Sequence, residues 1–220
     1  MGVFIHMAKQ TIYLTFDDGP SYNTEKFLDL LEKYNSKATF FVLGENIQWH
    51  QSDIKRIYAQ GHTIGVHGYS HDYDVVYQSS RVFWEDNLRA RRIIEELTGE
   101  KPCLMRFQGG SSNTVSRRYC KGIMRKLTRQ AASYGYDYFD WNIDSEDWKK
   151  KNPPDETLDR IKAVIHKNIY SCPMILLHDR NDLNENVMLA ERLLHDLTAE
   201  GFTFCALSRD TEPVIHKVNN

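Results

Sequence analysis

The sequence predicts an α/β fold, a parallel sheet of about seven strands with helices outside it, closed or nearly closed into a barrel. Three observations carry that reading. Short runs rich in β-branched and aromatic residues recur seven times. Between them lie stretches with apolar residues at helical spacing, several of which stop at glycine. Polar and titratable residues collect at the C-terminal ends of the runs, where parallel α/β barrels carry their chemistry. An open doubly wound sheet is the alternative architecture for the same alternation.

The predicted strands are Thr11 to Phe16, Thr39 to Leu43, Thr63 to His67, Leu104 to Phe107, Tyr138 to Ile143, Met174 to His178 and Phe202 to Leu207. The intervening helices are marked by Phe27, Leu28, Leu30, Leu31 and Tyr34; by Ile54, Ile57 and Tyr58; and by Leu88, Ile93, Ile94 and Leu97. Further along come Met124, Leu127 and Ala131; Leu158, Ile161, Val164 and Ile165; and Leu189, Leu193, Leu194 and Leu197, with stops at Gly61, Gly99, Gly135 and Gly201. Residues 11–210 are read as one domain, 1–10 as an N-terminal extension or a vector-derived remnant, and 211–220 as a C-terminal tail.

With 220 residues, 41% of them hydrophobic and 26% charged, the chain is long enough for one substantial core and has the balance of a globular protein. A formal net charge of −2 argues against nucleic acid as a partner, and the one basic cluster, Lys149-Lys150-Lys151, reads as a solvated loop. Cys103, Cys120, Cys172 and Cys205 lack the spacing of a zinc-binding set and read as free thiols. No apolar run is long enough to span a membrane, and the N-terminus lacks the regions of a signal peptide. A monomer is expected.

The centre of the chain's chemistry is Thr15-Phe16-Asp17-Asp18-Gly19-Pro20, where the first strand stops in a rigid turn. Alternation sends adjacent side chains to opposite faces, so the turn must bend the two carboxylates back together. Two carboxylates that close repel unless a cation intervenes. The third strand ends in His67-Gly68-Tyr69-Ser70-His71, and two imidazoles with a carboxylate such as Asp18 make a three-ligand site with an open position. Arg106, if it points inward, can hold Asp17, and the Gly109-Gly110 turn behind it can aim backbone N–H groups at a substrate oxygen. The stretch from Asp140 to Trp148, dense in acids and holding Trp141 and Trp148, suggests a carbohydrate-binding wall, with Trp141 packed inward. His178, at the end of the sixth strand, is a candidate general acid on the same rim.

Taken together, Thr15-Phe16-Asp17-Asp18-Gly19-Pro20, His67-x-x-x-His71, Arg106-x-x-Gly109, Asp144-x-x-Asp147-Trp148 and Leu176-x-His178 resemble the motifs of the NodB-homology polysaccharide deacetylases, carbohydrate esterase family 4. The likeness runs from Thr11 to about Leu207. It implies a distorted (β/α) barrel and hydrolysis of the N-acetyl group of N-acetylglucosamine units. It implies one divalent metal, zinc by default with cobalt, iron or manganese as alternatives, held by Asp18, His67 and His71. By the same match Asp17 is the general base, His178 the general acid that protonates the leaving amine, Asp144 the residue that orients this histidine, and Arg106 the residue that holds the base. Gly109 supplies the oxyanion N–H, and Trp148 with Leu176 forms the pocket for the acetyl methyl.

Two positions depart from the pattern. Gly68 stands where the family usually has Ser or Thr, and Gln108 where it usually has Pro. The first removes a hydroxyl beside the metal loop, and the second frees a φ that proline would fix. On that argument Gln108→Pro is expected to raise turnover several-fold. The expected substrate is an acetylated amino-sugar polymer, peptidoglycan ahead of chitin or its oligomers, which places the domain in the cell envelope or outside the cell with export directed by sequence beyond this chain. A carbohydrate-binding module without turnover is the rival in another class. A metal-dependent phosphoesterase is disfavoured by the lack of a second His/Asp cluster in the sequence.

Overall fold

The sheet is assembled around its first strand, β1 (Thr11–Asp17). The computed structural model describes residues 11–149 and 153–220, so the 1–10 extension and Lys150 and Lys151 of the basic cluster lie outside the described residues. After β1 come β2 (Thr39–Val42), β3 (Thr63–Val66), β4 (Leu104–Met105), β5 (Asp137–Tyr138), β6 (Ile143–Asp144), β7 (Met174–His178) and β8 (Thr203–Phe204). Every pairing is parallel, and the order is β5-β4-β3-β2-β1-β7-β6. On the β2 side of β1, β8 pairs with Thr11 and Ile12 before β2 takes over at Thr15, and β7 runs along the other edge from Tyr13. The sheet curls into a barrel-like shell with its seam between β5 and β6, the architecture the alternation predicts.

One predicted strand is divided. The run from Tyr138 to Ile143 contributes only the end of β5 and the start of β6, because the chain crosses the seam between them. Phe139 N–H still donates to Met105 on β4 at 2.9 Å, whereas Asn142 N–H already donates to Met174 on β7 at 3.2 Å. A run whose backbone partners change sides within four residues cannot remain one strand.

Outside the sheet are α1 (Thr24–Lys33), α2 (Gly44–Ile47), α3 (Gln51–Ala59), α4 (Tyr73–Val76), α5 (Ser80–Thr98), α6 (Ile123–Gln130), α7 (Pro154–His166) and α8 (Glu185–Ala199). The periodic residues are the ones buried: Phe27, Leu28 and Leu31 on α1, Ile54 and Ile57 on α3, Leu189, Leu193, Leu194 and Leu197 on α8. The longest helix, α5, starts earlier than the periodicity suggests, because Ser79 caps it by accepting from Val82 N–H at 3.2 Å and Phe83 and Trp84 bury its first turn.

Strand alternation then decides what lies inside the barrel. Ile12, Leu14 and Phe16 join Phe40, Ile175 and Leu177 in the large core between sheet and helices. Tyr13, with Phe41, Leu104, Phe139, Met174 and Leu207, belongs to a smaller cluster inside the shell. The intervening positions Thr15 and Asp17 on β1, and Leu176 and His178 on β7, therefore face the interior too. Register sets Thr15 beside Leu176 and Asp17 beside His178.

Residues 211–220 lie against the seam. Val214 accepts from Asp140 N–H, His216 N–H donates to the Asp140 carboxylate, and Asn220 accepts from Gly122 and Arg125 N–H, each at 2.7–2.8 Å. All four cysteines are free thiols. Among the described residues no helix is long and apolar enough to cross a membrane.

Candidate active site

Asp17 ends β1 at the mouth of the barrel and is 3% exposed. Its Oδ1 accepts from Arg106 Nη1 at 2.8 Å. Arg106 is itself fully buried and spends every N–H: on Thr15 Oγ1 and Asp17 through Nη1, on the carbonyls of Phe139 and Asp140 through Nε and Nη2, and on the Met174 sulfur at 3.6 Å. Its guanidinium also lies over the Phe41 ring, 4.3 Å from the centroid. Burial pushes the Asp17 carboxyl above its ordinary range, against the opposing pull of Arg106 and His178. A buried carboxylate fixed by one oxygen, with the other facing the cleft, has the form of a general base.

Asp18 takes a left-handed backbone conformation, φ 71°, which turns its side chain back toward the same mouth. Its carbonyl is held by Asn46 Nδ2 at 2.8 Å, and the following turn rests on buried Asp179, which accepts from Ser21 and Thr24 hydroxyls. Asp18 Oδ1 is buried and has no hydrogen-bond donor. It lies 3.5 Å from His67 Nε2 and 3.5 Å from His71 Nε2.

The His67 contact is not an ion pair at neutral pH. His67 donates from Nδ1 to the Arg106 carbonyl at 2.8 Å, which leaves a lone pair on Nε2, and burial lowers its pKa to about 3. An orphaned carboxylate oxygen thus meets a lone-pair nitrogen with no proton between them, an arrangement that a cation relieves. Around a tetrahedral centre with bonds of about 2.0–2.1 Å, ligand atoms stand roughly 3.4 Å apart, close to the separations seen here. Asp18, His67 and His71 are also the one group of possible metal ligands among the described residues.

His178, on the strand next to Asp17, donates from Nδ1 to Asp147 Oδ1 at 2.7 Å. Asp147 Oδ2 accepts from His178 N–H and from Asn186 Nδ2, so the carboxylate is fully engaged. Burial lowers the imidazole pKa, but the Asp147 hydrogen bond and charge, with the fields of Asp18 and Asp17, outweigh it and raise the value to about 9. This corrects the assignment of Asp144. The Asp144 carboxylate turns along its own loop to accept from Glu146 N–H at 2.8 Å, and only three residues later does the chain come back over His178.

The turn after Arg106 is closed by Gly110 N–H donating to the Phe107 carbonyl at 2.8 Å, with Gly109 at φ 71°. A positive φ at the third position of a β-turn is the type II form, which favours glycine there and proline at the position Gln108 occupies. Among the described residues the Gly109 N–H has no hydrogen-bond acceptor. Gln108 is not the loose cleft residue expected. It is 1% exposed, and its Nε2 donates to the carbonyls of His67 at 2.8 Å and Ser70 at 2.6 Å.

The expected sugar-binding wall is dismantled in part. Asp140 is fully buried and accepts from Ser111 and His216, and Trp141 packs by Gly110 with its ring edge-on to His216 at 4.9 Å. Trp148 stands 53% exposed, whereas Leu176 is buried on β7. Sequence reasoning also missed Asn186, Asp86 and Tyr73. Asp86 accepts from Tyr69 N–H at 2.7 Å and braces the His67–His71 loop, and the Tyr73 ring lies 5.3 Å from that of His71. Nothing in their spacing marks the first two. Tyr73, two residues after His71, was the one open to suspicion.

The chain belongs to the polysaccharide deacetylase family, whose model matches residues 5–138. A peptidoglycan-N-acetylglucosamine deacetylase of Bacillus cereus is 32% identical over 91% of this chain and 87% of its own length. The crystal structure of the catalytic domain of a peptidoglycan N-acetylglucosamine deacetylase from Eubacterium rectale is 36% identical, with a TM-score of 0.90 over 97% of this chain and 95% of that one. The polysaccharide deacetylase Bc1974 from Bacillus cereus superposes with a TM-score of 0.78 at 28% identity, over 94% and 96% of the two chains.

Proposed function

We propose that this protein is a metal-dependent deacetylase of N-acetylglucosamine units, with peptidoglycan as its polymer and the cell envelope as its place of action. The observation that carries the reading is the orphaned Asp18 Oδ1 between two imidazole nitrogens, set beside a carboxylate held by Arg106 and an imidazole held by Asp147. The relatives named as peptidoglycan-N-acetylglucosamine deacetylases support the substrate.

Asp18, His67 and His71 hold the cation, zinc by the chemistry of an imidazole and carboxylate set, and when bound it supplies Lewis acidity that activates water and polarises the amide carbonyl. Asp17 Oδ2 takes a proton from the attacking water, while Arg106 keeps Oδ1 in place. The water oxygen bonds to the acetyl carbon, and the Gly109 N–H donates to the oxygen that gains negative charge. His178, protonated and fixed through Nδ1, presents Nε2–H to the amide nitrogen, so that the C–N bond breaks to give a free amine and acetate.

Acetate release from peptidoglycan and from a chito-oligosaccharide, measured with one equivalent of zinc added to the stripped protein, tests this reading. Release from peptidoglycan supports it in full. Release from the chito-oligosaccharide alone makes chitin the polymer, and release from neither, with zinc bound, points to a binding module.

A further inference from the structure

We infer that Gln108 is a positioning residue for the metal loop, and that Gly68 is the vacancy that lets it act. The two departures from the family pattern are one device. The inference rests on the metal site proposed above.

The loop from His67 to His71 carries two of the three candidate ligands, and its polar backbone is gripped from two sides. Asp86 accepts from the N–H groups of Tyr69 at 2.7 Å and Ser70 at 3.3 Å. The Gln108 carboxamide reaches the carbonyls, donating from one nitrogen to His67 at 2.8 Å and to Ser70 at 2.6 Å. The Ser70 carbonyl shares its peptide unit with His71, so one amide group spans the two ligands. Both facing atoms are carbonyl oxygens, which accept and cannot donate, so the NH₂ end must point at them. The backbone of Gln108 is itself anchored, its carbonyl accepting from Tyr77 Oη at 2.9 Å and Asn113 Nδ2 at 2.8 Å.

The amide sits where a side chain on residue 68 would be. A Cβ at Gly68 would lie 2.6 Å from Gln108 Nε2, 3.0 Å from Asp86 Oδ2 and 3.4 Å from the Ser70 carbonyl, and the backbone there has φ +103°. A serine or threonine would both clash with the amide and take a conformation that L side chains rarely adopt. Proline at 108 has no amide to offer. A hydroxyl residue at 68 with proline at 108, and glycine at 68 with glutamine at 108, are therefore two alternative ways to fill one space. This reverses the expectation for Gln108→Pro: the substitution suits the turn but empties the brace, and it weakens the site instead of improving it.

The test is the zinc dissociation constant, by competition with a chelator, for wild type, Gln108→Met, Gly68→Ala and the double variant, beside the melting temperature of each stripped protein. Methionine keeps length and volume without donors. Outer-sphere partners of metal ligands typically matter by about 10–100-fold in affinity. Gln108→Met is expected to bind zinc at least about tenfold more weakly while its stripped form melts near wild type. Gly68→Ala is expected to lose affinity as well, and the double variant to lose less than the product of the two single losses, since the displaced amide is already gone. Affinity within twofold of wild type in Gln108→Met, or independent losses in the double variant, would overturn the inference. If Gln108→Met does not fold, Gln108→Ala makes the same comparison. A wild type that binds no zinc would instead remove the functional reading on which the inference rests.

Discussion

Replacing Asp147 by asparagine separates the two carboxylates that could serve His178. In the structure Asp147 both aims the imidazole, at 2.7 Å, and helps to raise its pKa to about 9. The distance from an ordinary value of 6.5 corresponds to roughly 3 kcal/mol in favour of the imidazolium. Without the Asp147 charge the burial that lowers this pKa is opposed only by Asp17 and Asp18, and the value is expected to return to about 6.5 or below. At pH 8 the protonated fraction then falls from about nine-tenths to about 3%, a loss of roughly 30-fold in competent acid, while at pH 6 the fraction changes by less than about twofold. These fractions are those of the metal-free site, and a cation held at Asp18 lowers both values. The assay is kcat for acetate release against pH, for wild type, Asp147→Asn and Asp144→Asn. The account predicts that the alkaline limb of Asp147→Asn moves down by about 2.5 pH units or more and that Asp144→Asn keeps the wild-type limb. An unmoved limb in Asp147→Asn, or a moved one in Asp144→Asn, would refute the assignment.

Other outcomes follow from the same geometry. Asp17→Asn should lower kcat by about 10²-fold or more with zinc still bound, checked by metal analysis of the assayed sample. His71→Ala should lose bound metal while keeping the wild-type circular dichroism, because the side chain is 39% exposed and packs into no core cluster. Arg106→Met should cost about 3–5 kcal/mol in urea unfolding, since it leaves Asp17 buried without its cation. Stability of the stripped protein should also report His178. Its folded-state pKa lies above the unfolded value, so its contribution is fully present below about pH 6.5 and is lost as pH rises toward about 9. Melting temperature should fall across that window in wild type and stay nearly level in Asp147→Asn.

The parts of the fold legible in the sequence are those governed by local periodicity. Alternation in Thr11 to Asp17 already separates Ile12, Leu14 and Phe16 from Thr15 and Asp17, and the helical stripes of α1 and α8 are the buried ones. The site was legible where a residue's place depends on its own strand end, as for Asp17, His67 and His178. It was not where the place depends on how a loop returns. Asp144 and Asp147 are both acids on one loop, and which of them meets His178 is set by the path after β6, about which spacing says nothing. Gln108 is a further case: its neighbour in space is Gly68, forty residues earlier, and only the structure shows that the absence at one position makes room for the other. The divided strand at Phe139 to Asn142 has the same cause, a change of partner that leaves no mark on composition.

The central claim is that one cation at Asp18, His67 and His71 turns this barrel mouth into a deacetylase. Its most direct test is a titration of stripped protein with zinc, following acetate release from acetylated peptidoglycan at each ratio of metal to chain. The account predicts activity that rises linearly and reaches its plateau at one zinc per chain, and that is absent from His71→Ala at the same ratio. Full activity in the stripped protein, or a plateau reached only well beyond one equivalent, would contradict it.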